Sequence, residues 1–341
     1  VKLKFNPFVL FSIVLVAFFS CEKPESLYKQ PTIPQGLQTQ TFAMGENYSN
    51  QLWFDFETQK TTVNTYGNWD IAVSCQDEPS VVICGGKNTN FAVAEFENVN
   101  FKNIDASYLT AAKWKFDHPS GNIDSSAFGR CFNKVVDGYE GKPAIYVLDL
   151  GEDSLKSFRY IKIQFIGVKG GAYQFKWGYV NVPALAYLTQ MVTDPTRNYV
   201  YYSFSKKDVV ENEPVASEDW DLVFTTYKES INDPNGVPYS YIIRGALANL
   251  KTISIAQIDK GIAYEACDKT FAAQQKFSNN ADEIGYDWKE YSQSSGKYTI
   301  IPNRYYIIKT SANDYFKLKF VDFYDDQGRK GYPKMAWQIL P

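Results

Sequence analysis

One histidine, three methionines and five cysteines are all that this chain of 341 residues offers by way of imidazole and sulfur chemistry, and the scarcity excludes a good deal. Any Ser-His-Asp or Cys-His centre would have to use His118, and the HExxH metalloprotease pattern is absent. So are the GxSxG elbow and the phosphate-cradling P-loop. No CxxC pair occurs, which argues against a zinc site built on cysteines. Charge of one sign is missing too: 35 basic against 38 acidic residues leave a net −3, without the clustered basic face that nucleic acid demands. The stretch "YDDQGRKGY", Tyr324 to Tyr332, has two adjacent aspartates but not the alternate acidic spacing of an EF-hand loop, and reads as a hairpin turn between the last two strands. What these absences leave is a protein that binds rather than catalyses.

What the chain has in quantity is aromatic: 25 Tyr, 24 Phe and 7 Trp. Together with Val, Ile and Thr they suit pleated, half-buried surfaces, so the expected class is β-rich, with short helices only at Ala106–Phe116 and Tyr264–Phe277. The length allows two ordinary domains.

Residues 1–21 stand apart. Lys2 and Lys4 precede the apolar run "FVLFSIVLVAFF", then Ser20 and Cys21. A charged start, a short apolar core and a small residue at the cut describe a secretory signal, and the run falls short of the roughly 20 residues that span a bilayer. Ser20 ahead of Cys21 resembles the processing box of bacterial lipoproteins, in which the cysteine is acylated; the alternative is an ordinary cleaved signal with an incidental cysteine. Residues 22–40, polar and proline-rich, read as a tether off the membrane. Export permits disulfides, and Cys75 and Cys84 flank a turn-like segment that makes them the candidate pair.

Two phrases echo each other: "GNWDIAV" at Gly67–Val73 and "EDWDLVF" at Glu218–Phe224. Before them stand "NYSNQLWFDFETQKTTV" and "NYVYYSFSKKDVV", each an aromatic strand, a charged turn and a second strand. After them "YIKIQFI" (Tyr160–Ile166) matches "YFKLKFV" (Tyr315–Val321), and the last strand of each series carries its own tryptophan, Trp177 and Trp337. Landmarks in one order imply a tandem duplication, 41–189 and 190–341, with copies of roughly 145–155 residues, close to the common domain size. The tryptophans are too widely spaced for WD-propeller blades, which recur about every 40–45 residues. Trp69 and Trp220 are expected to fill the core of their own copy, each following aspartate capping a strand end.

The second copy resembles the HmuY family of haem-binding lipoproteins of the Bacteroidetes, through "YYSFSKKDVV", "EDWDLVFTTY", "GYDWKEYSQSSGKYTIIPNRYYIIKT" and "YFKLKFVDFYDDQGRKGYP"; the first copy shares the resemblance more weakly. The resemblance implies two tandem antiparallel β domains, a lipid anchor on the outer membrane facing the cell surface, and capture of haem for a TonB-dependent receptor. In the family's founding member haem is held by a pair of histidines, and other relatives use methionines. Here Gln293 stands where one is needed, and Thr270–Ile284 supplies no His, Met or Cys for the other, so bis-histidine ligation is excluded in the second copy. His118 is the only histidine available as an axial donor. Met44, Met191 and Met335 read as core fillers. The function expected is binding of haem or another flat tetrapyrrole for uptake; the alternative on the same scaffold is a surface interaction protein that recognises a receptor, a glycan or a peptide.

Overall fold

Alternation in the sequence becomes antiparallel sheet throughout residues 33–341, which the computed structural model describes except for 153–157 and 234. The signal segment, Cys21 and the tether as far as residue 32 lie outside the described residues. The two α-helices among them are shorter than expected, Ala106–Leu109 and Lys269–Ala273, capped by the carboxylates of Asp105 and Asp268. The chain after each is taken by a sheet: Lys115 pairs with Val93, and Ser278 with Ile255. For a helix of one or two turns, propagation gains little, so backbone bonds to a neighbouring strand prevail.

The apolar faces gather into two main cores. In the first, a four-stranded sheet (Val81–Ile83, Ile71–Ser74, Tyr199–Ser203, Asp208–Val210) shares its buried face with a seven-stranded one running from Ala92 to Val192. Trp177, fully buried, lies against Phe204 and Tyr187. In the second, a four-stranded sheet (Thr61–Thr65, Asn50–Phe54, Leu222–Asn232, Pro238–Ala248) packs with a five-stranded one (Gln38–Thr41, Lys330–Leu340, Tyr315–Tyr324, Tyr305–Thr310, Ile253–Ile258) around Phe54, Phe56 and Trp337. Met44 and Met335 are buried in this core and Met191 in the first.

The cores do not divide at 189/190. Gln38–Thr41, which begins within the stretch expected to be tether, and Asn50–Phe54 and Thr61–Thr65, at the start of the first sequence copy, belong to the second core: Gln38–Thr41 pairs with the chain's last strand and Phe54–Leu52 with Leu222–Phe224. Reciprocally, Tyr187–Val192 and the hairpin Tyr199–Val210 pair with Ala172–Trp177 and with Ile71–Ser74 of the first. The first core is therefore one continuous stretch, about Trp69 to Val210, and the second is completed by the segment that precedes it.

The Trp-Asp phrase is the clasp of this exchange. Asp70 accepts the amide of Phe204 at 2.7 Å, while its own amide donates to Tyr202 O. Asp221 accepts the amide of Phe56 at 2.8 Å, while its amide donates to Phe54 O. Trp69 meets Tyr201 edge-on at 5.0 Å and Trp220 meets Trp53 at 4.6 Å. Each tryptophan is buried, but against an aromatic of the other copy's hairpin. Between the hairpins, Asn64 donates to Asn212 at 2.9 Å.

One expectation is corrected here. Cys75 and Cys84 are both free thiols. Register in the Ile71–Ser74/Val81–Ile83 hairpin sets Cys84 opposite Asp70, at the far end of the strand from Cys75. At about 3.3 Å per residue this separates them by roughly 16 Å, more than twice the reach of a disulfide, about 7 Å between Cα atoms. Burial pushes the Cys84 thiol up to about 12.

Candidate functional sites

Two clefts of opposite character open in the part built on the second core. The first is amphipathic, about 700 Å³ in volume. Its sides come from the loop Asp259–Glu265, from Ile300–Arg304 after the hairpin of Lys289–Ser292 and Lys297–Ile300, and from Lys319–Val321. Alternation along "YFKLKFV" turns Phe316, Leu318 and Phe320 into the core and leaves Lys317, Lys319 and Val321 on the opposite side of the strand. Ile262, Ile300, Ile301, Pro302 and Val321 give the cleft apolar walls, with the rings of Tyr264 and Tyr305 beside them.

The rim carries Lys260, Arg304 and Lys319 together with two carboxylates, Asp259 and Glu265. Arg304 binds Asp259 at 2.6 Å and Asp287 at 2.9 Å, which fixes its guanidinium. Lys319 reaches Glu265 at 3.1 Å and lies 4.2 Å over the Tyr264 ring; Lys260 stands nearby. Beneath, Lys317 is buried and ties down the Tyr264–Cys267 turn through Tyr264 O at 2.9 Å and Cys267 O at 3.2 Å. The phenols are committed: Tyr305 donates to Ile262 O at 3.1 Å and Tyr264 to Lys317 O at 3.4 Å, and burial pushes both well above the usual tyrosine range. Neither is a source of phenolate.

The matching place in the first core is a smaller cleft of about 330 Å³, lined by Phe101, Lys102, Gln164 and Lys176 among others. In the aligned strands Lys162 corresponds to Lys317 and Gln164 to Lys319. Lys162 is wholly buried with its ammonium 4.7 Å over Phe101, but no carbonyl caps it as three cap Lys317. Burial, then the nearby Lys176, lowers its pKa.

The second cleft, about 480 Å³, is acidic: Glu229, Asp282, Glu283 and Asp287 line it together with Tyr227 and Tyr286. His118 stands beside it, its Nε2 3.7 Å from Glu229. The loop that carries His118 is docked by the Ala281 amide on Ser120 O at 2.9 Å. Desolvation raises the Asp282 carboxyl, His118 partly opposing it.

Of the residues singled out from the sequence, His118 therefore sits among carboxylates and not in the amphipathic cleft. Gln293 is exposed on the turn of the Lys289–Ile300 hairpin. Sequence reasoning passed over Tyr264, Arg304 and Lys319; the alternate lysines of "YFKLKFV" were the available signal. Glu229 and Asp282 meet His118 only through the fold, and nothing local marks them.

The HmuY protein family matches residues 195–337. No curated protein matches the chain. Among solved structures, apo PinO from Porphyromonas gingivitis aligns at 11% identity over 90% of this chain and 99% of its own, with a TM-score of 0.29. The apo HmuY analogue TFO of Tannerella forsythia aligns at 10% identity over 90% and 97%, with a TM-score of 0.20. An HmuY-like protein of Bacteroides vulgatus, proposed to bind haem, aligns at 15% identity over 41% and 83%, with a TM-score of 0.19. Residues 195–337, from the second exchanged hairpin to the last strand, thus match the HmuY protein family.

Proposed function

We propose that the protein is a surface-anchored binding protein that holds a flat tetrapyrrole, haem or its metal-free parent, in the amphipathic cleft and presents it for uptake through an outer-membrane receptor. The observation that carries this reading is the pairing of apolar walls with lysine and arginine side chains at the rim, inside the segment that matches the HmuY family. Apolar walls with a few convergent polar groups are what ligand sites of this size provide; Lys260 and Lys319 stand at the rim for the two propionates.

The cleft fits the macrocycle better than its iron. No imidazole, thiol or thioether lines it, and the two phenols are hydrogen-bonded and held protonated. His118 belongs to acidic surroundings that oppose propionates. The ring and its carboxylates then supply the binding energy, with the iron contributing little.

Titration of the purified protein with haemin and with metal-free protoporphyrin IX, followed by absorbance and tryptophan quenching, is expected to give affinities within about threefold of each other. Lys260→Ala with Lys319→Ala should weaken both about tenfold, two exposed charge-assisted contacts being worth about 0.5–1 kcal/mol each. His118→Ala should leave both unchanged. Haemin binding that requires the iron, or that is lost with His118, contradicts the reading. A second reading, docking of a receptor, glycan or peptide, draws on the exposed rings of Tyr239, Tyr241 and Tyr291, and gains ground if neither porphyrin binds.

A further inference from the structure

Away from the amphipathic cleft, three donor side chains from three separate segments converge. His118 comes from a loop of the first copy, Glu229 from the strand Leu222–Asn232 and Asp282 from the loop before Trp288, and their ligand atoms all lie within 4.8 Å of one another. Glu229 and Asp282 also line the acidic cleft, where Glu283 and Asp287 deepen the negative field. A second observation marks the place independently. Tyr227, on the same strand and 8% exposed, lines this cleft, and its buried hydroxyl has no hydrogen-bond partner. A buried polar group left so forfeits about 1–3 kcal/mol, and an aquo ligand on a bound cation is the kind of group that satisfies it.

We propose that His118 Nε2 and one carboxylate oxygen each from Glu229 and Asp282 bind a single divalent transition cation of the zinc class. Two carboxylates balance the 2+ charge, and one nitrogen with two oxygens is a donor set suited to zinc and its neighbours, with a coordination position left open. Calcium and magnesium, which take all-oxygen shells, gain nothing from the imidazole. The site joins a loop of the first copy to a strand and a loop of the second. It is independent of the tetrapyrrole reading.

Coordination has a built-in reporter. The Ser120 amide donates to His118 Nδ1 at 3.2 Å, which leaves the Nε2 proton to face Glu229. A cation at Nε2 displaces that proton and moves the imidazole proton to Nδ1, so the Ser120 contact must open. The chain has one histidine, and its two ring nitrogens give resolved ¹⁵N signals.

The test is zinc chloride titrated into the full chain by calorimetry in a non-chelating buffer, with the long-range ¹H–¹⁵N spectrum of the imidazole recorded in parallel. One zinc per chain is expected, with a shift of Nε2 and of the Ser120 amide and no displacement by millimolar magnesium. His118→Gln and Glu229→Gln should each weaken zinc at least tenfold while porphyrin binding stays as in the wild type. No zinc uptake, an imidazole spectrum unmoved at saturating zinc, or wild-type affinity in His118→Gln overturns the proposal.

Discussion

Removal of residues 1–66 is expected to cost the protein one of its two cores outright. Phe42, Met44, Leu52, Phe54 and Phe56 are all buried in the second core, and at about 1.5–3 kcal/mol for each buried side chain their loss amounts to roughly 10 kcal/mol. That is the size of a whole domain's stability, about 5–15 kcal/mol. The hairpin Tyr199–Val210 carries the same pattern and can cross to fill the gap, but it then deserts Ile71–Ser74 and opens the first core instead. Either way half of the near-ultraviolet dichroism disappears, and limited proteolysis leaves a single resistant fragment of about half the chain. A truncated protein with both halves protected and a wild-type unfolding transition would show that the first three strands are dispensable, contrary to their pairing here.

Alanine at Asp70 is expected to lower stability by about 3 kcal/mol, the lower end for breaking a buried ion pair, because Lys87 keeps about a third of its side chain in solvent. The change removes both the Lys87 partner at 2.7 Å and the acceptor of the Phe204 amide. For a protein of this size the midpoint should fall by roughly 5–10 °C, with Asp70→Asn, which keeps an acceptor oxygen, losing less. Asp221 differs in kind. Burial first, then Asp55 and Glu57, push its carboxyl up to about 7, against about 3.9 in an unfolded chain. Between those values the folded protein holds a proton that the unfolded chain has released. The stabilisation is thus complete below about pH 4 and is lost as pH rises through about 7. Measured against Asp221→Asn, which preserves an acceptor for Phe56 and cannot titrate, the wild type should lose about 2–3 kcal/mol between pH 5 and pH 8. A pH-independent difference between the two would rule out Asp221 as the titrating group.

The β-rich architecture was legible because alternation is strict in segments such as Tyr160–Ile166 and Tyr315–Val321, and because aromatic and β-branched residues suit pleated, half-buried surfaces. The likeness of the two Trp-Asp phrases was legible as well, and Asp70 and Asp221 make matching contacts in the structure. Which hairpin each one grips was not. Asp70 accepts an amide from a hairpin and so does Asp221, the two hairpins share one pattern, and a degenerate local code leaves partner choice to the connections between them. The candidate sites divide along the same line. Lys317 and Lys319 announce a cationic strand face in sequence, whereas the meeting of His118, Glu229 and Asp282 depends on three distant segments. The cysteine pair was misjudged for a related reason: a turn between two cysteines says nothing about register, and register sets Cys84 opposite Asp70.

The central claim, that the hairpin Asn50–Thr65 completes the second core and the hairpin Tyr199–Val210 the first, is tested most directly by paired cysteines in a Cys75→Ser background. Gln51 lies across from Thr225, their side chains 2.9 Å apart, while Ser74, the position corresponding to Thr225, pairs with Tyr199. Mild oxidation of Gln51→Cys/Thr225→Cys should give an intramolecular bridge, read by mass spectrometry of peptides, and Gln51→Cys/Ser74→Cys should give none. A bridge between 51 and 74, with 51 and 225 left as thiols, would mean that each copy closes on its own hairpin and would contradict the account.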